Sequence, residues 1–96
     1  MSEHLSLVFG ALADPSRRQV IGLLSSRGTV TATELSGELP MTRQAVAKHL
    51  ATLSDAGLVE AERAGRETRY RLTEAGEEWD DRLDALRQHL QRRRGS

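Results

Sequence analysis

The sequence predicts a mostly α-helical fold with one small β-hairpin, five helices in the order α-α-α-α-β-β-α. Three observations carry that prediction. Apolar residues recur at helical spacing through most of the chain, whereas residues 58–72 alternate instead. Four short polar residues, Asp14, Thr31, Thr42 and Thr73, stand where helices would begin. Glycines at 28, 57 and 65 stand where elements would end or turn. A chain of 96 residues buries roughly 60–65% of its extended surface, enough for one core and not two. It therefore reads as a single domain over residues 1–92 with a flexible tail over 93–96.

The first helix is expected over Glu3 to Ala13, where Leu5, Val8, Phe9 and Leu12 share a side. Asp14-Pro15 ends it. Proline suits the first position of a following helix, and Asp14 can cap that helix by accepting a backbone N–H. This second helix runs to about Ser26 with Val20, Ile21, Leu23 and Leu24 inward, and Gly28 stops it. Thr31-Ala32-Thr33-Glu34 has the spacing of a capping box and opens a short helix to about Glu38. Pro40 prevents its continuation. Thr42 caps a fourth helix with Val46, Leu50 and Leu53 on one face. Gly57 supplies the left-handed residue that closes it, and Leu58 folds back towards Leu53. Two helices joined by so short a turn form a helix-turn-helix.

Strands follow over Leu58 to Arg63 and Thr68 to Leu72, joined by Ala64-Gly65-Arg66-Glu67. Thr73 then caps a long fifth helix to about Arg92, with Ala75, Trp79, Leu83, Leu86 and Leu90 in a stripe.

Composition sets the limits on function. There are no cysteines, which excludes disulfides, thiolate metal sites and a cysteine nucleophile. No apolar stretch approaches the roughly 20 residues of a membrane span, and the Met1-Ser2-Glu3-His4 start has no basic-then-apolar pattern. A cytoplasmic location without membrane contact is the expectation. The formal net charge is zero, from 14 basic and 14 acidic residues. The charges are segregated. Residues 40–53 hold Arg43 and Lys48 and no acid. Residues 63–71 hold four arginines against Glu67, and residues 74–84 hold six acids against Arg82.

The basic middle coincides with the helix-turn-helix and hairpin. At about 100° per residue, Gln44, Lys48, Ala51 and Thr52 face away from Val46, Leu50 and Leu53, with Ala45 and Ala47 flanking. Small side chains let a helix backbone approach a DNA major groove. Gln can pair bidentately with adenine, and Lys can meet guanine or phosphate. Thr42 and Arg43 lie at the helix N-terminus, where backbone N–H groups attract phosphate. His49 either packs against the core or donates to phosphate at the groove edge. In the hairpin, Arg63, Arg66 and Arg69 are placed to grip phosphates or enter a minor groove. Arg71, nearer the domain, is expected to pair across the strands with an acid such as Glu60 or Glu62.

These residues resemble a known family. Leu12-Ala13-Asp14-Pro15-Ser16-Arg17-Arg18, the run from Met41 to Leu53, and Asp55-Ala56-Gly57-Leu58-Val59 look like the ArsR/SmtB type of bacterial winged helix-turn-helix repressor. The resemblance extends from about Leu5 to Leu90. It implies a homodimer joined through its first and last helices and bound to an inverted repeat in double-stranded operator DNA. The recognition helix would be Thr42 to Ala56 and the wing Arg63 to Arg71. The apolar residues Leu5, Phe9, Trp79, Leu83, Leu86 and Leu90 exceed what one small core needs and are the expected dimer face.

The chain departs from metal-sensing members of that family. Where those carry a Cys-x-Cys pair, it reads Glu34-Leu35-Ser36-Gly37-Glu38. Where others ligate zinc on the last helix through Asp-x-His and His-x-x-Glu, His89 has Arg87 two before it and Arg92 three after it. The resemblance is to a metal-independent branch with no cofactor and an unidentified effector. His4 and His89 read as solvated. No phosphate-cradling glycine loop and no Ser/His/Asp signature appears, so no catalytic residues are expected and the protein is not expected to be an enzyme. The competing class is a winged-helix module that docks another protein. The acid-free outward face over Thr42 to Thr52 favours DNA.

Overall fold

The computed structural model describes residues 2–95, with side chains described for residues 3–92. Helices α1 (Ser2–Ala13), α2 (Pro15–Arg27), α3 (Ala32–Glu38) and α4 (Arg43–Asp55) precede the hairpin strands β2 (Val59–Ala64) and β3 (Glu67–Leu72), and α5 (Glu74–Gly95) follows. A further strand, β1 (Val30–Thr31), lies between α2 and α3. The sheet therefore has three antiparallel strands in the order β1-β3-β2, not the two of the expected hairpin. Only Val30 and Thr31 pair, with Tyr70 and Arg69 of β3. Two residues are too few to show alternation, and their partners lie about forty positions away, so local pattern does not mark them. Helix α5 continues as far as Gly95, past the expected end at Arg92. Ser96, the last residue of the expected tail, lies outside the described residues.

The caps form as the residue types dictate. Ser16 N donates to the Asp14 carboxylate at 2.7 Å. That amide, aided by the Arg17 charge, holds the Asp14 carboxyl below its ordinary range. Glu34 N donates to Thr31 Oγ1 at 3.1 Å and Thr31 N to Glu34 Oε1 at 2.8 Å, a reciprocal capping box. Ala45 N donates to Thr42 Oγ1 at 3.0 Å, and Gly76 N to Thr73 Oγ1 at 3.1 Å. Each such cap is worth about 1 kcal/mol to its helix.

Arg17 and Arg18 have a structural task of their own. Helix α1 has no basic residue in its last turn, so its final carbonyls take donors from α2. Arg17 Nε donates to Ala11 O at 2.7 Å and Arg18 Nη1 to Leu12 O at 2.5 Å. The Asp-Pro-Ser-Arg-Arg run thus makes the corner between two helices, from both sides.

Helix α4 ends in a Schellman motif. Gly57 has a φ of 78°, Leu58 N donates to Leu53 O at 3.0 Å, and Gly57 N to Ser54 O at 3.0 Å. The accompanying apolar contact partners, Leu53 and Leu58, are both fully buried. The hairpin turns on Gly65 and Arg66 alone, since Ala64 pairs with Glu67. Gly65 has a φ of 63° and Arg66 does not have positive φ, the sign pattern of a type II′ turn.

The buried core draws on every element but α5, whose Trp79 and Leu83 pack against it half-buried. Val8, Ala11 and Leu12 of α1, Val20, Ile21 and Leu24 of α2, Leu35 of α3, and Val46, Leu50 and Leu53 of α4 are all buried, together with Val30, Leu58, Val59 and Leu72. The expected inward stripe of α5 needs one correction: Ala75 is exposed and Gly76 is buried. The backbone of α5 approaches Leu58 so closely there that only glycine fits.

Candidate nucleic-acid interface

Helix α4 is fixed from beneath and open above. Val46, Leu50 and Leu53 have exposures of 0%, 1% and 0%, so the helix cannot roll without uncovering three large side chains, each worth about 2–3 kcal/mol of burial. Its opposite side carries Arg43, Gln44, Ala47, Lys48 and Ala51, all exposed. This side has no acid before Asp55. Thr42 is exposed and occupied as the cap, and Ala45 is half-buried beside it. Gln44 and Lys48 stand one helical turn apart on this exposed side, with the small residues Ala47 and Ala51 beside them.

His49 is half-buried, and its Nδ1 is enclosed without a hydrogen-bond partner among the described residues.

The wing arginines differ from one another. Arg66, at the tip, is exposed, and it shares a concave surface of about 510 Å³ with Arg43, Thr33, Glu34, Glu67 and Tyr70. Arg43 Nη2 donates to Thr33 Oγ1 at 2.6 Å. This contact sets the guanidinium on the rim of that surface; Thr33 was not among the expected site residues, and nothing in the local sequence marks it. Arg63 makes one long contact, 3.4 Å to Thr68 Oγ1. Arg69 turns inward, to Thr29, Glu34 and Glu67, so it does not join Arg63 and Arg66 on the open side. Arg71 pairs with Glu60 at 2.7 Å, as cross-strand register predicts: Glu60 stands opposite it.

Leu5 and Phe9 of α1 and Leu86 and Leu90 of α5 are 40–57% exposed and offer a second open apolar surface; Leu7, 52% exposed, lies on the other side of α1. Phe9 and Trp79 meet edge to face, ring centroids 5.7 Å apart at 81°, and join the two helices. Trp79 and Leu83 also lean on the core, so they serve this chain's own packing, whereas Leu86 and Leu90 extend the stripe beyond it. Leu7 was missed because it falls about 160° from Phe9 on the helix, outside the expected stripe.

Among the described residues, no group of three or more His, Asp or Glu side chains is arranged to hold a metal ion. Nor, among the described residues, is any helix long and apolar enough to cross a membrane.

A recognition helix anchored by its buried face, preceded by a short helix and turn and followed by a basic two-stranded wing, defines a winged helix-turn-helix DNA-binding regulator. Comparison with known proteins agrees. The helix-turn-helix domain family matches residues 12–62. The uncharacterized HTH-type transcriptional regulator YuzN of Bacillus subtilis is 42% identical over 72 residues, covering 69% of this chain and 78% of that one. Among solved structures, an ArsR-like transcriptional regulator from Rhodococcus sp. RHA1 superposes with a TM-score of 0.72 at 39% identity, covering 91% of this chain and 92% of its own. The homodimeric winged helix-turn-helix DNA-binding domain of Mycobacterium bovis Mb0332, a possible ArsR-family regulator, gives 0.75 at 31% identity, with 92% and 78% covered. The chain belongs to the ArsR-type family of winged helix-turn-helix transcriptional regulators.

Proposed function

We propose that this regulator is a homodimeric repressor that binds an inverted-repeat operator and does not depend on a metal. Helix α4 enters the major groove of each half-site, with Gln44 and Lys48 on base edges and Thr42, Arg43 and Ala45 along the backbone at its N-terminal end. His49 sits at the edge of that contact. The wing lies on the flanking backbone or minor groove through Arg63 and Arg66. Two copies join through Leu5, Phe9, Trp79, Leu83, Leu86 and Leu90. The observation that carries this reading is the exposed, acid-free side of a helix whose other side is locked into the core. The homodimeric state of the Mycobacterium bovis relative supports the two-copy assembly. Metal independence is supported by the lack of any cysteine and by the arginines that flank His89.

The test is selection of bound duplexes from random and genomic DNA, followed by footprinting. The expected product is an inverted repeat whose half-sites lie roughly one helical turn, about 10 base pairs, apart. Recovery of no preferred sequence would refute operator recognition.

A further inference from the structure

The wing leaves the sheet at Arg69. Strand β1 pairs with β3 only at Val30↔Tyr70 and Thr31↔Arg69. From Thr68 to the tip the wing is a two-stranded ribbon, and such ribbons are marginally stable and twist readily. Arg69 occupies the last three-stranded position, at the root of the projecting part.

Its guanidinium spans four acceptors there. Nε donates to Thr29 Oγ1 at 3.2 Å. Nη2 donates to the Thr29 carbonyl at 3.2 Å and to Glu34 Oε1 at 3.3 Å. Nη1 donates to Glu67 Oε2 at 3.1 Å. Thr29 precedes β1, Glu34 belongs to α3 and Glu67 begins β3, so one planar fork ties the wing to the first helix of the helix-turn-helix. Glu34 is itself held in place, because the same Oε1 accepts from Thr31 N. The Thr31 amide first, and the Arg69 charge after it, keep the Glu34 carboxyl below its ordinary range. A lone exposed ion pair is worth little. A fixed fork with a backbone carbonyl among its partners constrains an angle instead.

We propose that Arg69 is a positioning residue for DNA binding: with Thr29 and Glu34 it fixes the angle at which the wing leaves the sheet, and so holds Arg66 across the groove from Arg43. It rests on the functional reading above. Arg69 acts through Arg66 and makes no phosphate contact of its own, in contrast to its expected role.

The test is a double-mutant cycle on a selected operator duplex. Affinity is measured for the unsubstituted protein, Arg69→Gln, Glu34→Gln, Arg66→Ala and each pairing with Arg66→Ala. Arg69→Gln is expected to weaken binding roughly five- to thirtyfold alone and less than about twofold once Arg66 is gone. Glu34→Gln keeps the helix cap, since Gln accepts at that position as Glu does. It loosens the clasp without unfolding α3, shows the same pattern with a smaller factor, and carries the test if Arg69→Gln folds poorly. A direct phosphate contact, or a general loss of folded protein, gives equal factors in both backgrounds and would overturn the proposal. So would an unchanged affinity for either Arg69→Gln or Arg66→Ala. A failure of the unsubstituted protein to prefer the operator over random duplex strikes the functional reading instead, and shows in the first titration.

Discussion

Gly76 at the start of α5 lies so close to Leu58, just past the end of the recognition helix, that a Cβ there would stand 2.1 Å from the Leu58 carbonyl oxygen. Around that contact, Thr73 N donates to the same carbonyl at 3.0 Å and Thr73 Oγ1 to Gly57 O at 2.6 Å. The recognition helix and the last helix are thus joined backbone to backbone. Gly76→Ala should destabilise the fold by about 2–3 kcal/mol or more, because the obstacle is a backbone oxygen that cannot swing away. In an ordinary exposed helix position the same change would add about 1 kcal/mol of stability. Urea denaturation of the variant reads the sign directly; a gain in midpoint would mean that the approach is looser than it stands here.

The apolar face of α1 and α5 gives a second expectation. Leu86 is 55% exposed in the single chain, so Leu86→Glu should alter the folded monomer by less than about 0.5 kcal/mol. Within a dimer it buries a charge against apolar residues, which costs several kcal/mol. Light scattering should find the unsubstituted protein at twice its 10.6 kDa chain mass and the variant at the chain mass, both with the same helical circular dichroism. A monomeric unsubstituted protein at micromolar concentration would remove the face from the assembly.

Much of this fold is legible in the sequence because local chemistry decides it. Asp14, Thr31, Thr42 and Thr73 each announce a helix start, and Gly57 with Leu58 announces a stop; all depend on neighbours within five positions. What escapes notice is non-local. Strand β1 is two residues long and exists only through Tyr70 and Arg69. Ala75 has the apolar character of an inward residue, yet Gly76 takes that place because Leu58 approaches from another element. Arg69 carries the same charge as Arg66, and only the fold brings Glu34, 35 positions away, to its guanidinium. Charge pattern marks the interface as a region, while the work of each arginine within it depends on what the fold sets beside it.

Metal ions should leave DNA binding unchanged. The chain has no thiol, and Arg87 and Arg92 flank His89 where ligands would be needed. Operator affinity measured with zinc, with cadmium, with arsenite and with a chelator should coincide. A tenfold change at stoichiometric metal would reveal a site assembled between subunits, most simply from His4, His89 and a carboxylate.

Whether the open side of α4 reads sequence is tested most directly by Gln44→Ala, with binding measured on the selected operator and on random duplex in the same salt. Gln44 is exposed, and its side chain takes no part in the Thr42 cap or in the buried face of Val46, Leu50 and Leu53 that hold α4. An amide paired with a base edge should cost about 1–3 kcal/mol per half-site on the operator when removed. The loss on random duplex should be much smaller, because affinity there comes from phosphates, which Gln44 does not neutralise. Equal losses on both duplexes, or no loss on either, would mean that this helix does not read the bases through Gln44.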